Sequence, residues 1–244
     1  GVLLNYQLYI SGYSQGGHVA MSLAEKIETS GFDVVDLKGV APMAGPHDIE
    51  ALANIELNAT HIMLYPAFLG YLADSYAYNY DDLNLSDMVN FPDANVYHSL
   101  FDGSNINVAI HVALGLADGV TDFGFGTHTA NELFKDSFLS DYQNNLNASV
   151  RQNFIENKSY DSWIPKAKVN LVHCIEDEII PFSMSQNAFN DLNTTSTDIT
   201  LSPIPTAALS QQVDASHPFV HANCATESYG VAVQWFDAIR GGQI

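Results

Sequence analysis

The 244-residue chain is short of basic residues: it has eight Lys and Arg against 28 Asp and Glu, a formal net charge of −20. No Lys or Arg occurs between Lys38 and Lys135, a stretch that carries twelve acidic residues. Because phosphate binding requires positive charge, this composition excludes nucleic acid as a natural partner. The same field disfavours anionic substrates and tolerates neutral ones. We also expect salt tolerance, since ions screen self-repulsion; stability that falls steadily with added NaCl would contradict this.

Other absences narrow the class of protein further. No run of about 18 apolar residues could span a membrane, and no basic N-terminal region of a signal peptide is present. No His-Glu-x-x-His or paired-Cys spacing occurs, so we expect no metal. The Gly-containing stretch 119–126 lacks the Lys-Ser/Thr of a phosphate-binding loop, and we expect no cofactor. With 47% hydrophobic residues, the chain is large enough for one buried core.

The most informative motif that is present is the pentapeptide Gly12-Tyr-Ser14-Gln-Gly16. A strand-like apolar run, 7–11, precedes it, and a helix-like run begins at Gly17. This context is typical of a nucleophile elbow, in which a sharp turn raises a serine hydroxyl out of a sheet. The alternative is a Gly-rich turn with an ordinary serine. We expect Gly12, Gly16 and Gly17 to give the strand and helix room to approach.

An acidic turn follows a second strand-like run, 169–174. A carboxylate that holds an imidazole in one tautomer needs a short, fixed side chain at the carboxyl end of a strand. We therefore select Asp177 and expect Glu176 and Glu178 to be solvated loop charges.

A general base must come from one of nine histidines. We select His221, because it directly precedes a helix predicted over 223–240. His217 is the alternative, although the following proline restricts its backbone. The other seven are expected to be surface or core histidines. Among these, His18 lies four residues after Ser14 on one helical face and is expected to line a pocket without transferring protons.

Three motifs together resemble the catalytic half of an α/β-hydrolase, and most closely secretory lipases and related bacterial carboxylesterases. They are Gly-Tyr-Ser-Gln-Gly-Gly at 12–17, His-x-x-x-Asp-x-x-x-Pro at 173–181, and His-Ala-Asn-Cys at 221–224. The resemblance implies that Ser14 is the nucleophile, His221 the general base and then acid, and Asp177 the orienting carboxylate. It also favours a secreted or periplasmic location.

The chain departs from the family before the elbow, where only about eleven residues stand in place of the first strands. The N–H of Gln15 can supply one oxyanion hydrogen bond, but no second donor is identifiable. The chain is either one product of a longer protein, or completed by another copy or polypeptide, or it builds a donor from its own cap. A first strand left at a sheet edge favours pairing, so we expect oligomerisation.

Strand-like and helix-like runs alternate outside the middle of the chain, which predicts an α/β fold with a mostly parallel sheet and helices on both faces. We assign 1–49 and 163–244 to a catalytic core and 50–162 to an inserted, largely helical cap. Within this cap, apolar and aromatic side chains fall on one face of a predicted helix, and they either line an acyl pocket or pack the cap onto the core. The candidate pocket residues are Tyr13, His18, Tyr65, Phe68 and Leu69.

Two cysteines allow one disulfide. Cys174 lies three residues before Asp177 and Cys224 three after His221, so the pair comes within reach if those side chains meet. Two buried free thiols are the alternative.

The predicted function is therefore a serine esterase or lipase that acts on small neutral esters. A peptidase or amidase on the same fold is an alternative, as is an inactive hydrolase-like module for binding or assembly.

Overall fold

The computed structural model describes residues 5–31, 34–161, 163–196, 198–214 and 219–243. The chain divides into two compact units, one formed by Gly1–Asp48 with Lys158–Ile244 and the other by Ile49–Asn157. In chain order the elements are β1 (Gln7–Tyr13), α1 (Gln15–Thr29), β2 (Asp36–Met43), α2 (Ile49–Glu56), β3 (Ile62–Met63), α3 (Pro66–Asn79), α4 (Leu85–Met88), α5 (Ala94–Leu100), α6 (Asn107–Ala113), β4 (His128–Thr129), α7 (Ala130–Leu133), α8 (Asp136–Asn144), α9 (Ser149–Glu156), β5 (Lys168–Cys174), α10 (Ser183–Leu192), β6 (Ile199–Ile204) and α11 (Val220–Arg240).

The first unit is built on a four-stranded sheet in the order β1-β2-β5-β6, and every neighbouring pair is parallel. The predicted parallel sheet with helices is confirmed. As expected, β1 lies at one edge of this sheet. Since parallel strands all finish at the same end of the sheet, the turns after β1 and β5 both lie at that end.

Alternation along the strands explains why helices cover both faces of this sheet. Val40 and Leu171 pack with the apolar sides of α1 and α10, whereas their neighbours Ala41 and Val172 pack with α11. Successive strand residues point to opposite faces, so strands buried on both sides read as continuous apolar runs. The core of this unit is therefore two apolar layers with the sheet between them.

The second unit is largely helical and has a core of its own. Large aromatic side chains dominate this core, including the fully buried Tyr97 and Tyr142 and the nearly buried Phe154. An antiparallel pair, β3 with β4, joins Ile62 to Thr129 and Met63 to His128. Within the described residues, no helix has both the length and the apolar character needed to cross a membrane.

Two features of α11 differ from or extend the expectations. The helix begins at Val220, so His221 lies inside its first turn instead of preceding it. Cys174 and Cys224 form a disulfide with an S–S distance of 2.02 Å, so they are not free thiols. The bond links the end of β5 to α11.

Candidate active site

The turn between β1 and α1 holds Ser14 in a backbone conformation unusual for a residue with a side chain, with φ 58° and ψ −125°. Its N–H donates to the carbonyl of Met43, 2.8 Å away on β2. A Cβ at Gly12 would lie 2.0 Å from the carbonyl oxygen of Gly16, and one at Gly17 would lie 2.6 Å from that of Met43. A Cβ at Gly16 would meet nothing within 4 Å, so the expectation that this glycine relieves crowding is wrong.

Ser14, His221 and Asp177 are brought together in a line of two hydrogen bonds. The Ser14 Oγ lies 2.8 Å from His221 Nε2, and His221 Nδ1 lies 2.6 Å from Asp177 Oδ2. Because an ionised carboxylate only accepts, Nδ1 carries the proton and Nε2 accepts from the serine hydroxyl. This tautomer is the one that a general base requires. The alternative base, His217, lies outside the described residues.

The Asp177 carboxylate is buried, and both of its oxygens accept hydrogen bonds. Its Oδ1 accepts from the N–H groups of Ile179 and Ile180, at 3.0 and 2.9 Å. Burial opposes its ionisation, but hydrogen bonds from His173 and His221 outweigh that cost and lower the pKa of Asp177 to about 2. The group is therefore a fixed negative charge at neutral pH.

The two acidic neighbours of Asp177 differ from one another. Glu176 is exposed, and its carboxylate accepts from the backbone N–H and hydroxyl of Thr206. Glu178 is half-buried, and it accepts from the N–H groups of Val220 at 3.0 Å and His221 at 3.4 Å. It thus caps the start of α11, so its expected role as a solvated loop charge is wrong. Burial, followed by the charge of Asp177, raises the pKa of Glu178.

Two predicted pocket residues, Tyr13 and His18, belong to the same unit as Ser14, Asp177 and His221. The Tyr13 hydroxyl donates to the carbonyl oxygen of His221 at 2.6 Å, and burial raises the pKa of this phenol. His18, in the first turn of α1, bonds the carbonyl of Pro46 through Nδ1 at 2.9 Å. Burial lowers the pKa of His18, which favours a neutral imidazole that donates from Nδ1.

The other three predicted pocket residues lie in the second unit. Tyr65 and Phe68 stack with ring centroids 4.9 Å apart, and Phe68 remains 47% exposed. Leu69 packs against the hydrophobic core of that unit. Their role in acyl binding stays a prediction.

The start of α1 presents a candidate oxyanion donor. Gln15 is the first residue of this helix, where N–H groups have no intrahelical acceptor. Its N–H makes no hydrogen bond within the described part of the chain. The positive end of the helix dipole adds to the attraction for a developing negative charge.

His173 lies next to the acid, a position that was not predicted for it. Its Nε2 lies 2.9 Å from the carbonyl oxygen of Ile180 and 3.4 Å from Asp177 Oδ2, and its Nδ1 lies 2.7 Å from Ser185 Oγ. It is a core histidine, as expected, but it also faces the acid. The signal was its place four residues before Asp177, at the end of a buried strand.

Solved structures similar to this chain share its architecture. The rice cell wall degrading esterase LipA of Xanthomonas oryzae matches with a TM-score of 0.75 at 22% identity, over 94% of this chain and 57% of that one. A putative hydrolase of Legionella pneumophila matches with a TM-score of 0.73 at 16% identity, over 97% of this chain and 57% of that one. The closed state of Candida antarctica lipase A matches with a TM-score of 0.55 at 16% identity, over 86% and 45%. The chain has the α/β-hydrolase fold.

The match covers only part of each of these similar structures. The chain spans little more than half the length of the esterase and the putative hydrolase that it matches, and less than half of the lipase. No protein-family model and no curated protein sequence matches the chain. At identities of 16 to 22%, the likeness establishes the α/β-hydrolase fold alone.

Proposed function

We propose that the chain is a serine hydrolase that cleaves neutral carboxylic esters through an acyl-enzyme on Ser14. The observation that carries the proposal is the line of hydrogen bonds from Ser14 through His221 to Asp177, at 2.8 and 2.6 Å. It starts from a sharp strand-to-helix turn that places Ser14, which is half-buried, directly before α1.

The reaction follows from these positions. Ser14 Oγ attacks the ester carbonyl carbon while His221 Nε2 takes the hydroxyl proton. His221 then donates this proton to the departing alcohol, which leaves an acyl group on Ser14. A water molecule attacks the acyl carbon, gives a proton to His221 and releases the carboxylic acid, and the proton returns to Ser14. Asp177, held ionised by its low pKa, stabilises the imidazolium in both steps.

The negative oxygen of each tetrahedral intermediate needs donors. The N–H of Gln15 supplies one, in the position that this fold uses. A second donor is proposed to come from the segment 50–162, from a second copy or from another polypeptide. Losing one donor typically lowers turnover by about 10²–10³-fold, so the source of the second decides how active the isolated chain is.

Charge and fold relatives support the substrate class. The net charge of −20 favours neutral over anionic substrates. Two of the similar structures bear the names of an esterase and a lipase. The roles of 50–162 as a cap and of Tyr65, Phe68 and Leu69 in acyl binding belong to this proposal.

The test is hydrolysis of p-nitrophenyl butyrate and octanoate beside a p-nitroanilide amide. We expect ester turnover that falls by more than about 10³-fold in Ser14→Ala and His221→Ala. The matched control is Ser11→Ala, which removes the hydroxyl of an exposed serine on β1, and this variant should retain activity. Preferential amide cleavage would favour a peptidase, and a folded protein without any turnover would favour an inactive binding module.

A further inference from the structure

Tyr13, the residue before the proposed nucleophile, forms a hydrogen bond with His221, the proposed base. The Tyr13 hydroxyl donates to the carbonyl oxygen of His221 at 2.6 Å, across 208 positions of sequence. The Tyr13 ring also lies beside the His221 imidazole, with centroids 5.2 Å apart, and beside the ring of Tyr229 at 6.5 Å. A phenol buried on its apolar sides needs a polar partner, and here that partner is the backbone of His221.

This hydrogen bond does not compete with the helix. His221 lies in the first turn of α11, where its carbonyl faces the N–H of residue 225. A carbonyl oxygen has two lone pairs, so the tyrosine hydroxyl uses the second. The bond therefore adds a constraint on the peptide group of His221 and removes none.

His221 is then held at three points. Its ring Nδ1 bonds Asp177, its N–H faces Glu178 at 3.4 Å, and its carbonyl accepts from Tyr13. Of these three bonds, the Tyr13 bond is the one that runs to β1, the strand that leads into Ser14, and it adds to the direct contact of His221 Nε2 with the serine hydroxyl. The same strand end is fixed to β2, because Tyr13 is in register with Met43 and Ser14 donates to the Met43 carbonyl.

We propose that Tyr13 is a positioning residue, which holds the imidazole of His221 at hydrogen-bond distance from Ser14 by fixing the backbone of the base. This inference rests on the proposed function of the site. It assigns the hydroxyl a role through His221 instead of direct contact with the acyl group. A base within 3 Å of its target loses efficiency steeply when it is displaced.

The test compares Tyr13→Phe with Tyr9→Phe. Both remove one hydroxyl from β1, and the Tyr9 ring, four residues earlier on the strand, packs on Phe236 with centroids 5.2 Å apart. We expect Tyr13→Phe to lower kcat by about 2- to 10-fold, the worth of one hydrogen bond, with KM unchanged and with the same factor for butyrate and octanoate esters. The rate of fluorophosphonate labelling at Ser14 should fall by that factor. Tyr9→Phe should leave all three unchanged.

An unchanged kcat in Tyr13→Phe would overturn the inference, as would a loss that appears in KM or depends on acyl length. If the unmodified chain neither hydrolyses esters nor is labelled, the proposed function fails first. The inference is then decided by the low-field NMR signal of the proton between His221 Nδ1 and Asp177. It should shift or broaden in Tyr13→Phe and not in Tyr9→Phe, and an unmoved signal would overturn the inference.

Discussion

Replacing Asp177 by Asn tests the orienting carboxylate with almost no change of shape. The amide oxygen of Asn can still accept the N–H groups of Ile179 and Ile180, which Asp177 Oδ1 accepts now. The amide nitrogen then replaces Oδ2, 2.6 Å from His221 Nδ1. Because that nitrogen is a donor, Nδ1 must become the acceptor and the ring proton moves to Nε2. A protonated Nε2 cannot take the proton of Ser14.

We expect kcat/KM for p-nitrophenyl butyrate to fall by about 10³–10⁴-fold, which corresponds to roughly 4 to 5.5 kcal/mol of transition-state stabilisation. The assay is the pH profile of kcat/KM, with thermal unfolding measured alongside. Since the pKa of Asp177 is about 2, its ionisation does not limit activity above pH 4. A folded-state pKa below the ordinary 3.8 also means that Asp177 contributes stability above that pH, which is lost as the pH falls toward 2.

The matched control is Glu176→Gln, in the same loop. Glu176 is exposed and bonds Thr206, so its loss should change kcat/KM by less than about twofold. If Asp177→Asn folds and keeps more than a tenth of the original kcat/KM, Asp177 does not orient His221 and another group does.

Three further predictions concern stability. Gly17→Ala should lower the Tm strongly, because its Cβ would lie 2.6 Å from a backbone oxygen, whereas Gly16→Ala should be tolerated in open space; equal effects in thermal unfolding would contradict this. Replacing both cysteines of the Cys174–Cys224 disulfide by Ser should cost about 4 kcal/mol in denaturant unfolding, given a sequence separation of 50, and an unchanged midpoint would count against it. Burial lowers the pKa of His47 to about 3, so unfolding takes up a proton at this residue, and stability falls as the pH drops from 6.5 toward 3. In a plot of Tm against pH, His47→Gln should reduce the slope over this range. An identical slope would show that other groups cause it.

The parts of the fold that sequence could predict depend on short-range patterns. The elbow is a strand, a turn and a helix within about twenty residues, and the acid follows a buried strand directly. The parallel sheet follows from apolar runs that alternate with helical segments. Local order along the chain was therefore enough to select Ser14, Asp177 and His221, which the structure brings together, while their catalytic roles remain proposals.

What sequence missed depends on contacts between distant residues. The capping of α11 by Glu178 joins positions 42 residues apart, and the Tyr13 bond joins positions 208 apart. No periodicity encodes such pairs. The crowding expected at Gly12 and Gly17 is present, but its absence at Gly16 depends on which backbone atoms lie nearby, which the glycine pattern alone does not tell.

The most direct test of the proposed nucleophile is fluorophosphonate labelling of the folded chain, with the modified residue located by peptide mass spectrometry. An activated serine beside a base reacts far faster than an ordinary hydroxyl. We expect one label, on Ser14, which is absent in Ser14→Ala and nearly absent in His221→Ala. A folded protein that takes up no label, or takes it up at another residue, would show that Ser14 is not an activated nucleophile.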